Sequence, residues 1–328
     1  MTFMQVLLKK VTFEKQTPAK WRSIVLAILI PLLGLSGFIS FWHLSAPYVK
    51  TSLGAFPGPV QVYTQWNSLI DEHTAEKKRE TDFYIQQQKN RAEMLKKDPS
   101  ADVKVRLFTG RPTFFDKIQT SLVTVLCGFS VAVILAVPIG ILIGLSQGLY
   151  QAFNPLIQIF KPVSPLAWLP LVTLVVSAVY VTEDPLFSKS FIISLLTVTL
   201  CSIWPIIINT AVGVAGVSKD LINVSRVLRL GWLTHLIKIV LPSSIPMIFT
   251  GLRISLGVAW MVLIAAEMLA QNPGLGKFVW DEFQNGSSDS LGRICVAVLM
   301  IGFIGFVLDR TILIIQMRVN WDKSAVVR

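Results

Sequence analysis

Four polar side chains recur at helical spacing between Ser218 and Pro242, and three of them are cationic. A polar residue at every third or fourth position, with apolar residues between, predicts a short amphipathic helix. Ser218 is a suitable N-cap, and Gly231 predicts the end of the helix. No member of the set is an activated nucleophile or a metal ligand, so its chemistry is electrostatic: docking to a soluble partner, or lying among lipid phosphates. The candidate docking residues are Lys219, Asn223, Ser225, Arg226, Arg229 and Leu230.

Ionisable residues inside apolar runs form a second candidate group. Arg253 and Asp309 each lie eight residues from the same end of their runs, at a depth of about 12 Å. Opposite charges at equal depth predict a buried ion pair, because an isolated charge there is costly. Direct anion binding by Arg253 is the alternative. Glu267 is predicted to be a gate or a hydrogen-bond anchor, because its charge has the wrong sign for an anion ligand.

Prolines interrupt the apolar run that contains KPVSPLAWLP, residues 161–170. Pro162, Pro165 and Pro170 remove backbone donors, so a helix here must kink or break. A broken helix in lipid is tolerated only where it faces protein or a water-filled cavity. Polar side chains in apolar runs serve either as contacts between helices or as contacts with a passing anion. The candidate path residues are Thr173, Asn209, Thr210, Arg253 and Glu267.

Composition indicates the class of the protein. Of the 328 residues, 53% are hydrophobic and only 15% charged, against roughly a quarter charged in soluble domains. Apolar runs of this length predict an all-α, polytopic helical membrane protein with about six transmembrane helices. The first run is long enough to cross the bilayer, which favours a span over a cleaved signal peptide. The predicted spans are 24–46, 118–146, 155–181, 190–212, 243–270 and 293–317.

The distribution of charge predicts the orientation. The net charge is +11, and the basic residues crowd into the two termini and the 213–242 loop. This positive-inside bias places both termini in the cytosol and argues against nucleic acid as a partner. The three cysteines stand far apart in apolar runs and indicate neither a disulfide nor a metal site.

The predicted organisation has five parts. A cytosolic basic arm (1–23) and a first transmembrane helix (24–46) precede a polar, helical, periplasmic insert (47–115). A five-helix core (116–317) with a cytosolic coupling loop (213–242) follows, and then a cytosolic tail (318–328). The insert could dock a binding protein or be a solvated structural excursion.

Catalytic motifs are absent from the sequence: it contains no GxxxxGK[ST] loop, no HExxH and no CxxC. No Ser or Cys stands in a recognisable nucleophile elbow. The sequence therefore favours a transporter over an enzyme, with energy supplied by a partner or by an ion gradient.

Several segments in order resemble the binding-protein-dependent ABC importer permeases, in the branch for nitrate, bicarbonate and cyanate. Ile239 to Pro242 matches the I-x-L-P ending of the cytoplasmic coupling-loop signature. Two positions depart from that signature: residues 223–225 replace its Glu-Ala-Ala, and Arg229 replaces its glycine. The other matching segments are PLAWLP (165–170), WPIIINTAVGV (204–214), NVSRVLRL (223–230), FTGLRI (249–254), LIAAEM (263–268) and VWDEF (279–283).

The resemblance implies a type I ABC importer permease fold and a homodimer in the bacterial inner membrane. It implies two cytosolic ABC ATPase subunits, which would bind ATP and Mg²⁺, and a periplasmic or lipid-anchored substrate-binding protein. The permease itself would need no cofactor. The expected substrate is a small inorganic anion, foremost nitrate or nitrite, moved by alternating access; bicarbonate, cyanate and sulfonate or taurine are the alternatives. An ion-coupled secondary transporter is the alternative from another class.

Overall fold

The computed structural model describes residues 18–51, 54–97, 105–181, 186–287 and 289–319, and these are helical almost throughout. Most of the predicted basic arm and of the predicted tail lies outside these residues. A 3₁₀ turn (Ala46–Tyr48) and two paired strands, β1 (Lys50–Thr51) and β2 (Gly54–Ala55), interrupt the helices. The helices are α1 (Pro18–Ser45), α2 (Pro59–Lys97), α3 (Phe114–Leu145), α4 (Gln147–Phe160), α5 (Pro165–Val179), α6 (Lys189–Ala215), α7 (Lys219–Val227), α8 (Trp232–His235), α9 (Leu241–Ala270), α10 (Leu275–Asn285) and α11 (Ser290–Val319).

Five helical segments of the described chain are long and apolar enough to cross a membrane, and the α4–α5 pair raises the number to six if both helices form one span. This confirms the predicted all-α, polytopic architecture. The third span, predicted as one run over 155–181, is instead two helices bent by 98° at residues 161–164. The prolines around this point remove the backbone donors that a continuous helix needs.

The fifth membrane helix starts earlier than predicted. A π-helical turn (Leu236–Val240) joins α8 to α9, so one helical run extends from Trp232 to Ala270. Helix α6 continues to Ala215. The loop expected over 213–242 therefore reduces to residues 216–231, with α7 at its centre.

Helix α6 forms the middle of the bundle and packs along both α3 and α9. A Cβ at Gly140 would lie 2.6 Å from Thr210 Cβ, and one at Gly144 would lie 2.6 Å from Ala211 O. Gly140 and Gly144 form a small-xxx-small pair, in which two small residues stand four positions apart. Such a pair lets the backbones of two membrane helices approach closely, here those of α3 and α6. The residue numbers of the facing positions increase in the same direction along both helices, so α3 and α6 run parallel. On the other side, Gly251 of α9 faces Asn209 of α6, and these two helices run antiparallel.

The first half of α2 belongs to the packed core. Leu69 is 1% exposed and joins the largest apolar cluster, and Glu72 pairs with Arg293 of α11. Gln65 also donates a hydrogen bond to Asp289, 3.0 Å away. The predicted insert is therefore attached to the bundle through its proximal half, and only its distal half projects. We call this end of the bundle the α2 end, and the opposite end the α7 end.

Candidate functional site

Helix α7 is attached to the bundle by one narrow side. Its N-cap Ser218 accepts a hydrogen bond from Leu221 N at 3.4 Å, as the sequence predicts. Ile222 packs on a small apolar cluster that contains Val217 of the preceding turn and Val240 of the π-helical turn. Ser225 Oγ lies 2.8 Å from His235 Nδ1 of α8. These contacts attach α7 to the end of α6 and to the start of the helical run that leads into α9.

The remaining surface of α7 is uncovered and carries both apolar and basic side chains. Val227 is 81% exposed, and no salt bridge reaches Lys219, Arg226 or Arg229 from the described residues. We call this the α7 surface: Lys219, Leu221, Asn223, Val224, Arg226, Val227, Leu228 and Arg229. The predicted docking residue Ser225 is not part of it. Ser225 is 5% exposed and engaged with His235, so it positions the helix, and Leu230 is half-buried.

The end of α7 lies before the predicted stop at Gly231. Leu230 N donates to Ser225 O and Arg229 N donates to Arg226 O, both at 3.1 Å. This is the Schellman pattern, which places its C′ residue in the left-handed region, usually as glycine. Here the C′ residue is Arg229, with φ 49°. Gly231 instead caps the start of α8.

The predicted path residues make separate contacts in the part of the chain that the structure describes. Thr173 Oγ1 donates to Leu169 O and Asn209 Nδ2 donates to Pro205 O, both at 2.8 Å and both within their own helices. Thr210 is fully buried at the contact with Gly140 of α3. Thr210 therefore makes a contact between helices, while its hydroxyl Oγ1 has no hydrogen-bond partner among the described residues.

Arg253 and Asp309 face each other across α9 and α11. Arg253 Nε lies 2.5 Å from Asp309 Oδ1, and Nη2 lies 2.9 Å from Oδ2. Such a two-point pair is the strong geometry for a guanidinium and a carboxylate. Both side chains are 33% exposed within this chain, so the pair lies at the surface of the bundle and not in its interior as predicted. The guanidinium is already neutralised, which disfavours Arg253 as an anion ligand.

Glu267 is an anchor in this structure and has no open route to a path. It is 0% exposed, and its carboxylate accepts from Ser121 Oγ (2.8 Å) and from Gly276 N (2.9 Å). Ser121 Oγ in turn accepts from Leu275 N at 2.8 Å. A side chain at Gly274 or Gly276 would collide with Glu267. The carboxylate therefore joins α3, α9 and the start of α10.

An aromatic cluster stands where α4 and α5 break. The Phe160 ring stacks on Trp204 of α6 at 9° and packs against Trp168 of α5, both with centroids 5.8 Å apart. The indole Nε1 atoms of both tryptophans are buried and make no hydrogen bond within the described residues. Sequence reasoning missed these two residues as site candidates. The signal available was their position beside the prolines in LAWLP and IWP.

Residues 136–321, more than half of the chain, match the family described as binding-protein-dependent transport system inner membrane component. The chain belongs to this family. It is therefore the permease subunit of an ABC importer and a multi-pass membrane protein. The matched residues begin inside α3 and include the α4–α5 break and the α7 surface.

The permease is similar to two kinds of named relative. It is 34% identical over 298 residues to the bicarbonate transport system permease protein CmpB of Synechococcus elongatus, covering 90% of this chain and 91% of that protein. It is 38% identical over 210 residues to the nitrate import permease protein NrtB of Leptolyngbya laminosa, covering 64% of this chain and 70% of that protein.

Among solved structures, the permease resembles a chain of the inward-facing MetNI methionine ABC transporter in its native crystal form. The TM-score is 0.54 at 14% identity, over 63% of this chain and 95% of that one. At this identity the likeness concerns the fold alone. It agrees with the predicted type I ABC importer permease architecture.

Proposed function

We propose that this permease forms the translocation path of an ATP-driven importer for a small planar oxyanion, nitrate or bicarbonate. The observation that carries the proposal is the α7 surface. It is apolar and basic, it is uncovered, and it stands between two membrane helices in a chain whose sequence has no nucleotide-binding loop. A surface of this kind can take force from a soluble ATPase and pass it to α6 and α9.

The mechanism that we propose is alternating access. Two cytosolic ATPase subunits bind ATP and Mg²⁺, and each contacts one α7 surface of a permease homodimer. Closure of the ATPase subunits moves α7. Helix α7 then moves the membrane helices to which it is attached by the Ser225–His235 hydrogen bond and by the packing of Ile222. A binding protein, periplasmic or lipid-anchored, delivers the anion at the α2 end. Both termini and α7 lie in the cytosol, and residues 47–115 lie outside.

Nitrate and bicarbonate are both supported as substrates. Relatives named for each anion are 34–38% identical to this permease. The extent of the alignments does not separate the two anions, because relatives named for bicarbonate align over either 90% or 62% of this chain and those named for nitrate over 60–64%. Cyanate and taurine serve as competing substrates in the test.

Charge reversal on the α7 surface tests the coupling role. Arg226→Glu should reduce the amount of ATPase that copurifies with the permease, because it replaces a docking cation by an anion. Lys89→Glu is the matched control, since it makes the same reversal on an exposed residue of α2. Equal ATPase recovery from the two variants would refute the docking role.

Uptake measurements test the transport function and the substrate. In a strain that lacks its own importers, cells with the full system should accumulate labelled nitrate or labelled bicarbonate. Accumulation should stop on ATP depletion and should survive an uncoupler, which separates this function from an ion-coupled secondary transporter. Cells that accumulate neither anion would refute the proposed substrate class.

A further inference from the structure

Four buried side-chain polar atoms have no hydrogen-bond partner among the described residues: the hydroxyls of Ser194 and Thr210 and the indole Nε1 atoms of Trp168 and Trp204. The two indole N–H groups belong to the same aromatic cluster. Trp168 and Trp204 both pack on Phe160, and neither Nε1 atom makes a hydrogen bond within the described residues. Two other tryptophans do have a hydrogen-bond acceptor: Trp42 Nε1 donates to Pro57 O, and Trp260 Nε1 donates to Ile301 O. A buried donor without an acceptor is unfavourable, so each such group calls for an explanation.

Along the axis of α6, the cluster lies near the middle and not near a helix end. Trp204 is about 22 Å from the start of α6 and about 17 Å from its end at 1.5 Å per residue. Tryptophans that anchor a protein at the membrane surface sit near helix ends. The Phe160 ring is 36% exposed within this chain, so the cluster lies at half depth on the open side of the bundle, where a solute can reach it when the ring moves.

The chain break beside the cluster supplies a moving part. Residues 161–164 separate α4 from α5 at a 98° bend, and Phe160 is the last residue of α4. Non-helical backbone at membrane depth occurs where it is covered by protein or lines a cavity. A shift of α4 would withdraw the Phe160 ring from both indoles and expose their N–H groups. The positive end of the α5 dipole also lies at this break.

The chemistry of the two donors suits a planar oxyanion. Neutral N–H groups bond an anion without trapping it, as a path requires of a substrate that must leave again. Among the previously expected donors, Thr173 and Asn209 are bonded within their own helices and Arg253 is paired with Asp309. Thr210 Oγ1 also has no partner among the described residues, but Thr210 is fully buried against Gly140 of α3 and does not lie at the chain break.

We propose that the indole N–H groups of Trp168 and Trp204 are the oxyanion contacts of the translocation path. They are unpaired in this conformation and bond the anion when the α4–α5 break opens. The ligand class is a monovalent planar oxyanion such as nitrate or bicarbonate. This inference rests on the proposed function and adds the residues that hold the substrate in the membrane.

The first experiment measures thermal unfolding of the purified full chain in detergent while sodium nitrate or sodium bicarbonate is titrated against equal sodium chloride. An anion that binds the folded state raises the unfolding midpoint. We expect an anion-specific rise for the wild type and none for Trp168→Phe combined with Trp204→Phe. Without anion the double variant should unfold at a lower midpoint than the wild type, because phenylalanine is smaller than tryptophan and loses packing contacts with Phe160. The anion-specific rise is therefore measured from the midpoint that each variant has without anion.

Trp260→Phe is the matched control, since it removes an indole N–H that is bonded, at 2.9 Å, to Ile301 O. This variant should unfold at a lower midpoint without anion and should keep the anion-specific rise. Two results overturn the inference: a wild-type chain with no anion-specific rise, or a double variant that keeps it.

Uptake in cells separates the failure of this inference from the failure of the proposed function. At equal amounts in the membrane, the double variant should transport at least about tenfold more slowly, the loss expected for hydrogen bonds to a charged ligand. If the wild type imports neither nitrate nor bicarbonate, the proposed function fails. If the wild type imports and the double variant keeps its rate, the inference alone is wrong.

Discussion

Arg229→Gly should stabilise the end of helix α7, although it removes a side chain and a charge. Arg229 has φ 49° and occupies the C′ position of a Schellman motif. A left-handed conformation costs a residue with a Cβ about 1–2 kcal/mol, and glycine avoids that cost. The greater freedom of glycine in the open chain offsets about 0.5–1 kcal/mol of the gain. About 0.5–1 kcal/mol of local stabilisation remains.

Hydrogen exchange of the amides around Leu230, which bonds Ser225 O at 3.1 Å, measures this local stability. The expected stabilisation corresponds to exchange about two- to fivefold slower than in the wild type. Arg226→Gly is the matched control: it removes the same charge and adds a glycine to the same exposed helix. Because Arg226 lies inside α7 with ordinary helical backbone, glycine there should cost about 0.5–1 kcal/mol and speed exchange about two- to fivefold.

The opposite signs of the two variants are the decisive result, since both lose one cation near the end of the helix. Equal acceleration by both variants would mean that charge controls the end of α7 and that the left-handed residue carries no strain. Slower exchange in Arg229→Gly alone would show that Arg229 is strained in its left-handed conformation.

Three further variants test the packing, each read from the unfolding free energy of the purified chain. Asp309→Asn should lower the unfolding free energy by about 1–3 kcal/mol, between the values for exposed and buried ion pairs. Exchanging the two charges, with Arg253→Asp and Asp309→Arg together, should recover part of the loss. An unfolding free energy of Asp309→Asn equal to that of the wild type would contradict the ion pair. Glu267→Ala should cost about 2–4 kcal/mol, because buried donors lose their acceptor, and Glu267→Gln should cost less because it keeps one acceptor oxygen; equal losses would mean that packing and not hydrogen bonding anchors α10. Leu69→Ala should cost about 2–4 kcal/mol and Met94→Ala, at a 54% exposed position of the same helix, under about 0.5 kcal/mol; equal small effects would show that α2 is an appendage throughout.

Local features of the chain were predictable because their free energies arise from neighbouring residues. Long apolar runs determine that these helices cross a membrane, whatever they pack against. Prolines around residues 161–165 prevent a continuous helix there, and Ser218 caps α7, because each effect depends on one residue and its own backbone. Gly140 and Gly144 form a small-xxx-small pair, a pattern that by itself predicts a close helix contact but not which helix makes it.

Contacts between distant residues were decided by the tertiary structure. Equal depth pointed to Arg253 and Asp309 as partners, but only the packing of α9 on α11 puts them at the surface of the bundle. The sequence offered Thr173 and Asn209 as donors for a transported anion. In the structure each side chain donates a hydrogen bond to a backbone carbonyl of its own helix.

The sequence by itself determined the helical membrane class, the proline break and the position of the amphipathic helix α7, since hydropathy and backbone chemistry act locally. Only the tertiary structure decided which donors stay unpaired, because an indole N–H is satisfied or orphaned by the helices that close around it. Trp260 and Trp204 are the same residue type in similar apolar runs, and they differ only in what the fold places opposite their nitrogen.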